Sequence, residues 1–529
     1  MKTRFALIYP ILAVIFVLAA GCEKRDLTNQ VPRPTSAAVT LSPDTIVRIR
    51  WTGRKHLDLD VNGYTTSRIW SLPETKLLQQ QTSDKLATNI LRGVLGDDAA
   101  QIPPSVFRPL FDDIVLEESY FELRSNTNSQ PPEWCFAIHA NERRAGSWET
   151  NLVVFAEMLT GGAATTEPAV HGWTVQGARS TSRAIISHIG DWIVVGFGSR
   201  KNQLFEELAD RIMHQGAPAT STNWLDVYVD LNRAARVFSF STKTNVELPR
   251  VQLAVTGDGS HVITDGRLMF SNALPVSAKV WQVPTNLIHE PLLSFTSVRG
   301  VESVIASSQL WKDLHIGAAP DQLFFWSLSG NAYETYLAAP SANAGQEISA
   351  LTDFLLQRGN PWLAKNGYIN FHRASDSNGV VWGDVSSITP FIRAAGEGND
   401  HWLYGGLLLA PNSKTNVPST APIDFVQQTN LVYYDWELTG QLLPARLALL
   451  QTARQIGRAP QMATDCDSLN WLGVLIPRLG PCETTVKQTG PNQLAFHRKS
   501  TIGLTAIELH LLADWLESSR FPRGFHSVP

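Results

Sequence analysis

From residue 44 onward, short apolar runs of alternating character are interleaved with longer stretches of helical spacing. Thr45 to Trp51 alternates and predicts a strand. Ser71-Leu72-Pro73-Glu74 has the spacing of a capping box and opens a predicted helix to Arg92. Pro103-Pro104 starts a short helix. Val115 to Arg124 and Trp134 to Ala140 read as paired strands across the polar loop Ser125 to Pro132, and Ser147 is placed to cap a helix through Leu159. Strands follow at Trp173 to Arg179 and Ala184 to Gly198, the second divided by a Gly190-Asp191 turn. Lys201 to His214 is amphipathic. Trp224 to Asp230 predicts a strand, Leu231 to Phe238 a short helix, and Val251 to Thr256 with His261 to Phe270 a hairpin.

Residues 271–291 carry Pro275, Pro284 and Pro291 and predict an extended connection. Beyond it the rhythm returns. Leu292 to Val298 is a predicted strand, Val301 to Leu314 a helix, Gln322 to Ser329 and Tyr333 to Ala338 a strand pair, and Gln346 to Arg358 a helix. Gly367 to His372, Val380 to Asp384 and Trp402 to Leu409 are further strands. In the tail, Leu431 to Leu438 is a strand, Leu442 to Ile456 and Ser468 to Ile476 are helices, and Thr484 to Gln488 with Gln493 to Arg498 is a hairpin. A last helix opens on the capping box Thr505-Ala506-Ile507-Glu508, with Leu504, Ile507, Leu511 and Trp515 as its docking face. Helices alternate with strand pairs. That predicts an α+β fold of repeated strand–helix–strand-pair modules, with helices packed on antiparallel or mixed sheets. The same element order occurs before and after the connection, as an ancient duplication into two similar halves would produce. The expected domains are 44–275 and 285–520.

The first residues have a different character. Met1 to Arg4 is cationic, Phe5 to Ala20 is apolar, and Leu18-Ala19-Ala20-Gly21-Cys22 ends in small residues before a cysteine. A positive start, an apolar stretch and a small-residue cut form a secretory signal. Sixteen apolar residues at 1.5 Å each give roughly 24 Å of helix, short of a ~30 Å hydrocarbon core. Leu18 to Cys22 resembles the lipobox of bacterial lipoproteins, although Ala19 stands three before the Cys where Leu is commonest. The resemblance implies that residues 1–21 are removed and that Cys22 is lipidated. It also implies a mature chain anchored to a membrane of the cell envelope. Glu23 after the Cys, where Asp retains some lipoproteins at the inner membrane, points to the outer membrane. Residues 22–43 are polar and contain Pro32, Pro34 and Pro43; they read as a tether with a flexible reach of roughly 25 Å. The mature body resembles in layout large exported bacterial proteins of unknown function, which carries no activity across.

Charge narrows the partners. Residues 1–21 hold Lys2 and Arg4 and no acidic residue, so the mature chain has 42 basic and 48 acidic side chains, a net charge of −6. That argues against nucleic acid, whose phosphates need a basic field. Hydrophobic residues make up 43% of the chain and charged ones 17%, enough for an ample core. Cys135 lies in a predicted strand and reads as a small buried hydrophobe. Cys466 and Cys482 flank a predicted helix, and in an oxidising compartment they could pair, which would stabilise the fold by about 3 kcal/mol.

Candidate chemistry is sparse. Asp58-Leu59-Asp60-Val61-Asn62-Gly63 has the opening spacing of a calcium loop, but the twelfth position is Ile69 instead of a bidentate Glu, so a turn is expected. No two of the thirteen histidines are closer than His497 and His510, and local metal-ligand pairs are missing; no metal and no cofactor are expected. The glycine-rich turns at 196–199 and 257–260 match neither a phosphate loop nor a nucleophile elbow. The acidic doublets, Asp112-Asp113 among them, read as solvated turns and faces. Tyr433-Tyr434-Asp435-Trp436-Glu437 is the most site-like stretch. On a strand, Asp435 and Glu437 share a face about 6.5–7 Å apart, a separation at which two carboxylates serve glycoside hydrolysis. The plainer reading is a solvated acidic face with Tyr434 and Trp436 in the core. The sixteen tryptophans are spread along the chain, as core anchors would be.

The sequence therefore predicts a membrane-anchored envelope lipoprotein of unknown activity, a non-catalytic binding or assembly protein with an envelope protein or glycan partner. The alternative is an envelope hydrolase acting on glycans through Asp435 and Glu437.

Overall fold

The computed structural model describes residues 41–95, 103–125, 132–168, 172–177, 183–198, 202–238, 248–274, 279–314, 317–365, 367–374, 379–383, 388–396, 402–408, 428–456, 466–519 and 521–522. Cys22, the signal segment and most of the tether lie outside them.

The first ten strands are β1 (Thr45–Trp51), β2 (Ser119–Arg124), β3 (Glu133–His139), β4 (Ala164–Glu167), β5 (Gly172–Gln176), β6 (Arg183–Ile189), β7 (Trp192–Gly198), β8 (Leu225–Asp230), β9 (Arg250–Gly257) and β10 (Val262–Met269). The next ten are β11 (Leu292–Arg299), β12 (Gln322–Leu328), β13 (Thr335–Pro340), β14 (Phe371–Arg373), β15 (Gly379–Trp382), β16 (Phe391–Ala395), β17 (Trp402–Gly406), β18 (Leu431–Leu438), β19 (Pro481–Gly490) and β20 (Gln493–Ser500). All of them join one sheet. The first ten run in the order β4-β5-β6-β7-β3-β2-β1-β8-β9-β10. The second ten run β14-β15-β16-β17-β13-β12-β11-β18-β19-β20. β10 and β20 pair along their whole length, from Val262 opposite Ser500 to Met269 opposite Gln493. Every pairing is antiparallel, so the expected α+β class with antiparallel sheets holds.

The 271–291 connection separates two runs of strands in sequence without separating two cores in space. Val47, Ile49 and Trp51 of β1, Phe121 and Leu123 of β2, and Val255 and Val262 of the β9–β10 hairpin lie on one face. They share a cluster with Leu78 and Leu86 of the helix Pro73–Leu95 and Ile114 of Arg108–Leu116. Trp471 and Leu475 of Asp467–Leu475, and Leu509 and Leu516 of Ala506–Glu517, complete it. One helical layer therefore covers residues from both ends of the chain. A second cluster on the other face is aromatic: Phe295, Phe324, Trp326, Tyr336 and Tyr404, with Trp281 from the connection. A third packs Tyr120, Cys135 and Val194 under the helix Gln203–Gln215. Cys135 is buried there, as expected.

The turn leaving β1 shows how tightly the layers meet. Gly53 has φ 85°, and a Cβ there would lie 2.5 Å from the carbonyl carbon of Glu117. Only glycine fits both the conformation and the gap.

Several local expectations are corrected. Residues 108–116 are helical before β2 begins at Ser119, because Pro109 sits in the first turn and favours a helix start. The helix expected from Ser147 starts at Glu142, with the Asn141 side chain accepting from the Arg144 amide at 3.1 Å. Ser71 forms no cap; its hydroxyl donates back to the Ser67 carbonyl at 2.7 Å, closing the preceding helix Tyr64–Trp70. β4, a short polar strand, and β16, Phe-Ile-Arg-Ala-Ala with Phe391 in the aromatic cluster, are passed over by periodicity. The capping box at Thr505 and Glu508 is present, but Ile507 and Leu511 face solvent. The helix docks instead through Leu509, Leu512, Ala513 and Leu516. Both sides carry leucines, and the side completed by the small Ala506 and Ala513 allows the closer approach. Among the described residues no helix is long and apolar enough to cross a membrane.

Residues 44–275 produced alone would expose β10 as an open edge and lose the part of the core supplied by 442–521. The fragment is expected to show no sharp thermal transition and to bind a hydrophobic dye. A monomeric fragment that melts cooperatively would refute the shared core.

Candidate functional site

Asp435 and Glu437 stand on β18, central in the second run of strands, between β11 and β19. Alternation turns Tyr434 and Trp436 toward the aromatic cluster and the two carboxylates toward the opposite face. That face is neither solvated nor a cleft: Asp435 is 7% and Glu437 5% exposed. The expected solvated acidic face is thereby corrected. The helices Thr439–Ile456 and Ala506–Glu517 cover it.

Asp435 Oδ1 accepts from the Thr296 hydroxyl of β11 at 2.6 Å. Glu437 Oε1 accepts from the Thr439 hydroxyl at 2.8 Å and from the Ala506 amide at 2.7 Å. Ala506 opens the last helix, so Glu437 serves one of the unpaired amides there and places negative charge at the positive end of the helix dipole. Beside it, Arg498 of β20 donates to Glu508 at 2.7 Å, to the Gly503 carbonyl at 3.1 Å and to the Thr484 hydroxyl at 2.9 Å. Glu508 in turn accepts from the Thr505 amide at 2.8 Å. Glu437 and this arginine fasten the sheet to the last helix, and Asp435 fastens β18 to β11.

Burial raises Glu437 to about 7, and the neighbouring Asp435 pushes the same way; the donors from Ala506 and Thr439 only moderate the shift. Asp435 is raised by burial as well. Arg446, on the covering helix, is lowered by burial, while Glu437 and Asp435 favour its charge. Burial also pushes the Cys482 thiol up. The pair thus keeps a proton near neutral pH.

Sequence reasoning missed a second buried acid. Glu122 of β2 is almost wholly buried. It accepts from Arg124 at 2.7 Å, from Thr45 at 3.0 Å and from the Tyr120 hydroxyl, and Arg211 lies at 3.5 Å. Burial opposes its charge, but Arg124, Tyr120 and Arg211 outweigh it and hold Glu122 below the ordinary carboxylate range. The signal was legible: Tyr120, Glu122 and Arg124 alternate onto one face of a strand. Asp113, expected on a solvated face, is buried too, between Arg144 at 2.5 Å and the Trp148 indole at 2.9 Å.

The remaining candidates are structural in place. Cys466 and Cys482 are both free thiols, the first preceding the helix Asp467–Leu475 and the second buried on β19 opposite Glu437. They are not brought into a bridge. Asp58 pairs with Arg54 at 3.3 Å, and Asp60 caps a single turn, so the calcium-like spacing is a turn. Among the described residues no group of three His, Cys, Asp or Glu side chains is placed to hold a metal ion. Trp70, Thr75, Leu78, Trp471, Leu512 and Leu516 line a cavity of about 70 Å³ where the helix Pro73–Leu95 meets the C-terminal helices. That is far below the roughly 300 Å³ at which ligand pockets begin. Trp326, Tyr336 and Tyr404 stack with centroids 5.8–5.9 Å apart inside the core, so they offer no platform to a sugar. Trp362, stacked on Tyr368, is exposed.

No protein-family model, no curated protein and no solved structure matches the chain.

Glu437 gives the buried pair a testable signature. Its folded value of about 7 lies above the ordinary 4.5. The folded chain therefore holds a proton that the unfolded chain releases across that window. Stability from this group is full below about 4.5 and declines as pH rises through about 7. Glu437→Gln keeps an oxygen for Thr439 and Ala506 and removes the charge. Relative to the wild type, the variant is expected to gain on the order of 1–3 kcal/mol between about pH 5 and about pH 8. Denaturant melts across that range check it, and parallel curves would rule it out.

Proposed function

We propose that the chain is an envelope lipoprotein, fixed to a membrane through a lipidated Cys22, whose body binds a protein or glycan partner and performs no catalysis. One observation carries the anchor: Leu18-Ala19-Ala20-Gly21-Cys22 follows a cationic start and an apolar stretch too short to span a bilayer. Two or more acyl chains give a stable anchor without a spanning helix. Glu23 favours the outer membrane for the mature form.

The buried setting of Asp435 and Glu437 supports binding over hydrolysis. A glycosidase pair flanks a bond and leaves room for the sugar and a water. Here the space beside the carboxylates is filled by Thr296, Thr439 and the first amide of the last helix. The glycan-hydrolase alternative would require those helices to part.

We also infer that the body descends from two similar halves, residues 44–275 and 285–520. The support is the identical strand order on either side of the β10–β20 ladder. Gly53 and Gly300 add to it: both have positive φ, 85° and 76°, and each follows the central strand of its half.

Cys22→Ser is expected to abolish incorporation of a radiolabelled fatty acid and to move the protein from the membrane fraction to the soluble fraction of the envelope. Unchanged labelling in the variant would sink the lipoprotein reading.

A further inference from the structure

Leu59, Val61 and Tyr64 lie within six residues of one another and are 85%, 82% and 61% exposed. Single exposed apolar side chains are ordinary; three on one tip are not, and this tip is braced. Asp60 accepts from the Asn62 amide at 2.9 Å and from the Trp224 indole at 2.8 Å. The Gly259 amide donates to the Asn62 carbonyl at 3.0 Å, and the Thr65 hydroxyl donates to the Gly259 carbonyl at 3.3 Å. The turn between β9 and β10 thus buttresses a segment whose apolar side chains point outward. Of the nearby cations, Arg54 pairs with Asp58 and Lys55 with Glu117, while Arg68 lies over the Tyr64 ring at 5.7 Å.

We propose that this tip inserts into the membrane to which the chain is anchored, with Leu59 and Val61 among the acyl chains and Tyr64 at the headgroup level. The inference rests on the lipoprotein reading for its source of proximity. β1 spans seven residues between the end of the tether and this tip, about 20 Å at 3.3 Å per residue. The flexible reach of residues 22–43 is roughly 25 Å. A lipidated Cys22 can therefore lie in the bilayer on which the tip rests. Three side chains hold a membrane weakly by themselves, but the anchor makes the second contact intramolecular. Tyrosine suits the interface, with an apolar ring and a polar end. With Arg54 and Lys55 paired and Arg68 held on the Tyr64 ring, insertion is driven by apolar burial and needs no anionic lipid.

The test uses the full chain with an environment-sensitive fluorophore at Val61→Cys, in a Cys466→Ser background because Cys135 and Cys482 are buried; the same chain without Val61→Cys, carried through the labelling, gives the signal from any unlipidated Cys22, which is subtracted. Phosphatidylcholine vesicles are expected to shift the emission to shorter wavelength, and nitroxide-bearing lipids to quench it. High salt should leave both unchanged. The same label at Met213→Cys, exposed on the helix Gln203–Gln215, is expected to remain aqueous. Leu59→Asp with Tyr64→Asp should abolish the shift without changing the melting temperature. An aqueous spectrum at position 61 overturns the proposal, as expected if a protein partner covers the tip instead. A shift that survives the double substitution overturns it too. Vesicle flotation of the wild type against Cys22→Ser reads the anchor separately. Flotation that depends on Cys22 with an aqueous label sinks the tip alone; an embedded label with flotation indifferent to Cys22 sinks the anchor alone.

Discussion

The ladder between β10 and β20 holds the architecture together. Its eight residue pairs run from Val262 with Ser500 to Met269 with Gln493, and the Asp265–His497 pair within it joins residues 232 apart in sequence. Without it the sheet would end in two long open edges, each a template for pairing with another chain. With it, the helix Ala506–Glu517 that follows the last strand comes to rest on the same face as those that follow the first. Closing so long a loop costs only slightly more than closing a short one, because the entropy grows with the logarithm of length. Forming it is nonetheless slow, since non-local strand pairs must assemble before they are rewarded. The last helix, with Leu509, Ala513 and Leu516 in the common core, follows directly from this pairing.

That geometry decides the fate of the ionisable groups on the sheet. Glu122 and Glu437 are both buried on central strands, yet their affinities for a proton move in opposite directions. The difference lies in what faces them. Glu122 meets two guanidinium groups and a phenol, and charge matched by charge survives burial. Glu437 meets a hydroxyl and a backbone amide, and the like charge of Asp435 outweighs the favourable charge of Arg446 on the covering helix. Neutral donors offset only part of the desolvation, so protonation is the cheaper answer. A raised carboxylate is often taken as a mark of catalysis. Here the same shift follows from a structural role, because the group is fastened at the start of a helix and no cleft opens on it.

Much of the fold was legible because its strands obey the period of two. β1, β8, β18 and the β9–β10 and β19–β20 hairpins fall where alternation and turn residues put them. Failures came where local chemistry was ambiguous. Ser147 and Asn141 could both cap a helix, and only the packing of Trp148 against Phe136 and Asp113 fixes the earlier start. The last helix offered leucines on two sides, and sequence cannot say which side the sheet will meet. The acidic face at Asp435 and Glu437 looked solvated because strand alternation does not say which face the helices Thr439–Ile456 and Ala506–Glu517 will cover, although the first of them follows the strand directly. Strand order was beyond reach for the same reason: nothing in β10 names β20 as its neighbour. Of the candidate site, the carboxylates and their shared face were readable; their burial and their partners were not.

Burial also bears on where a partner could meet the body. Helices cover one face around β1 and β2, and aromatic side chains with Trp281 fill the other face around β11 and β12, whereas the middle of the β10–β20 ladder is open, with Asp265 and His497 exposed. The acids and cations on the central strands are engaged across the sheet or with the helices above it. Recognition is then left to what the fold leaves outside: the open stretch of the β10–β20 ladder, turns at strand ends, helix outer faces, and isolated aromatics such as Trp362. Such surfaces are built from side chains that packing does not dictate, which is why a sequence can specify this fold clearly and its partner hardly at all. On the proposed anchoring through Cys22, such a body would gain specificity from position, because a tether of limited length keeps it near the surface. Residues 22–43 would then set the distance from the bilayer, and the sheet would set which strand-end turns are presented at that distance.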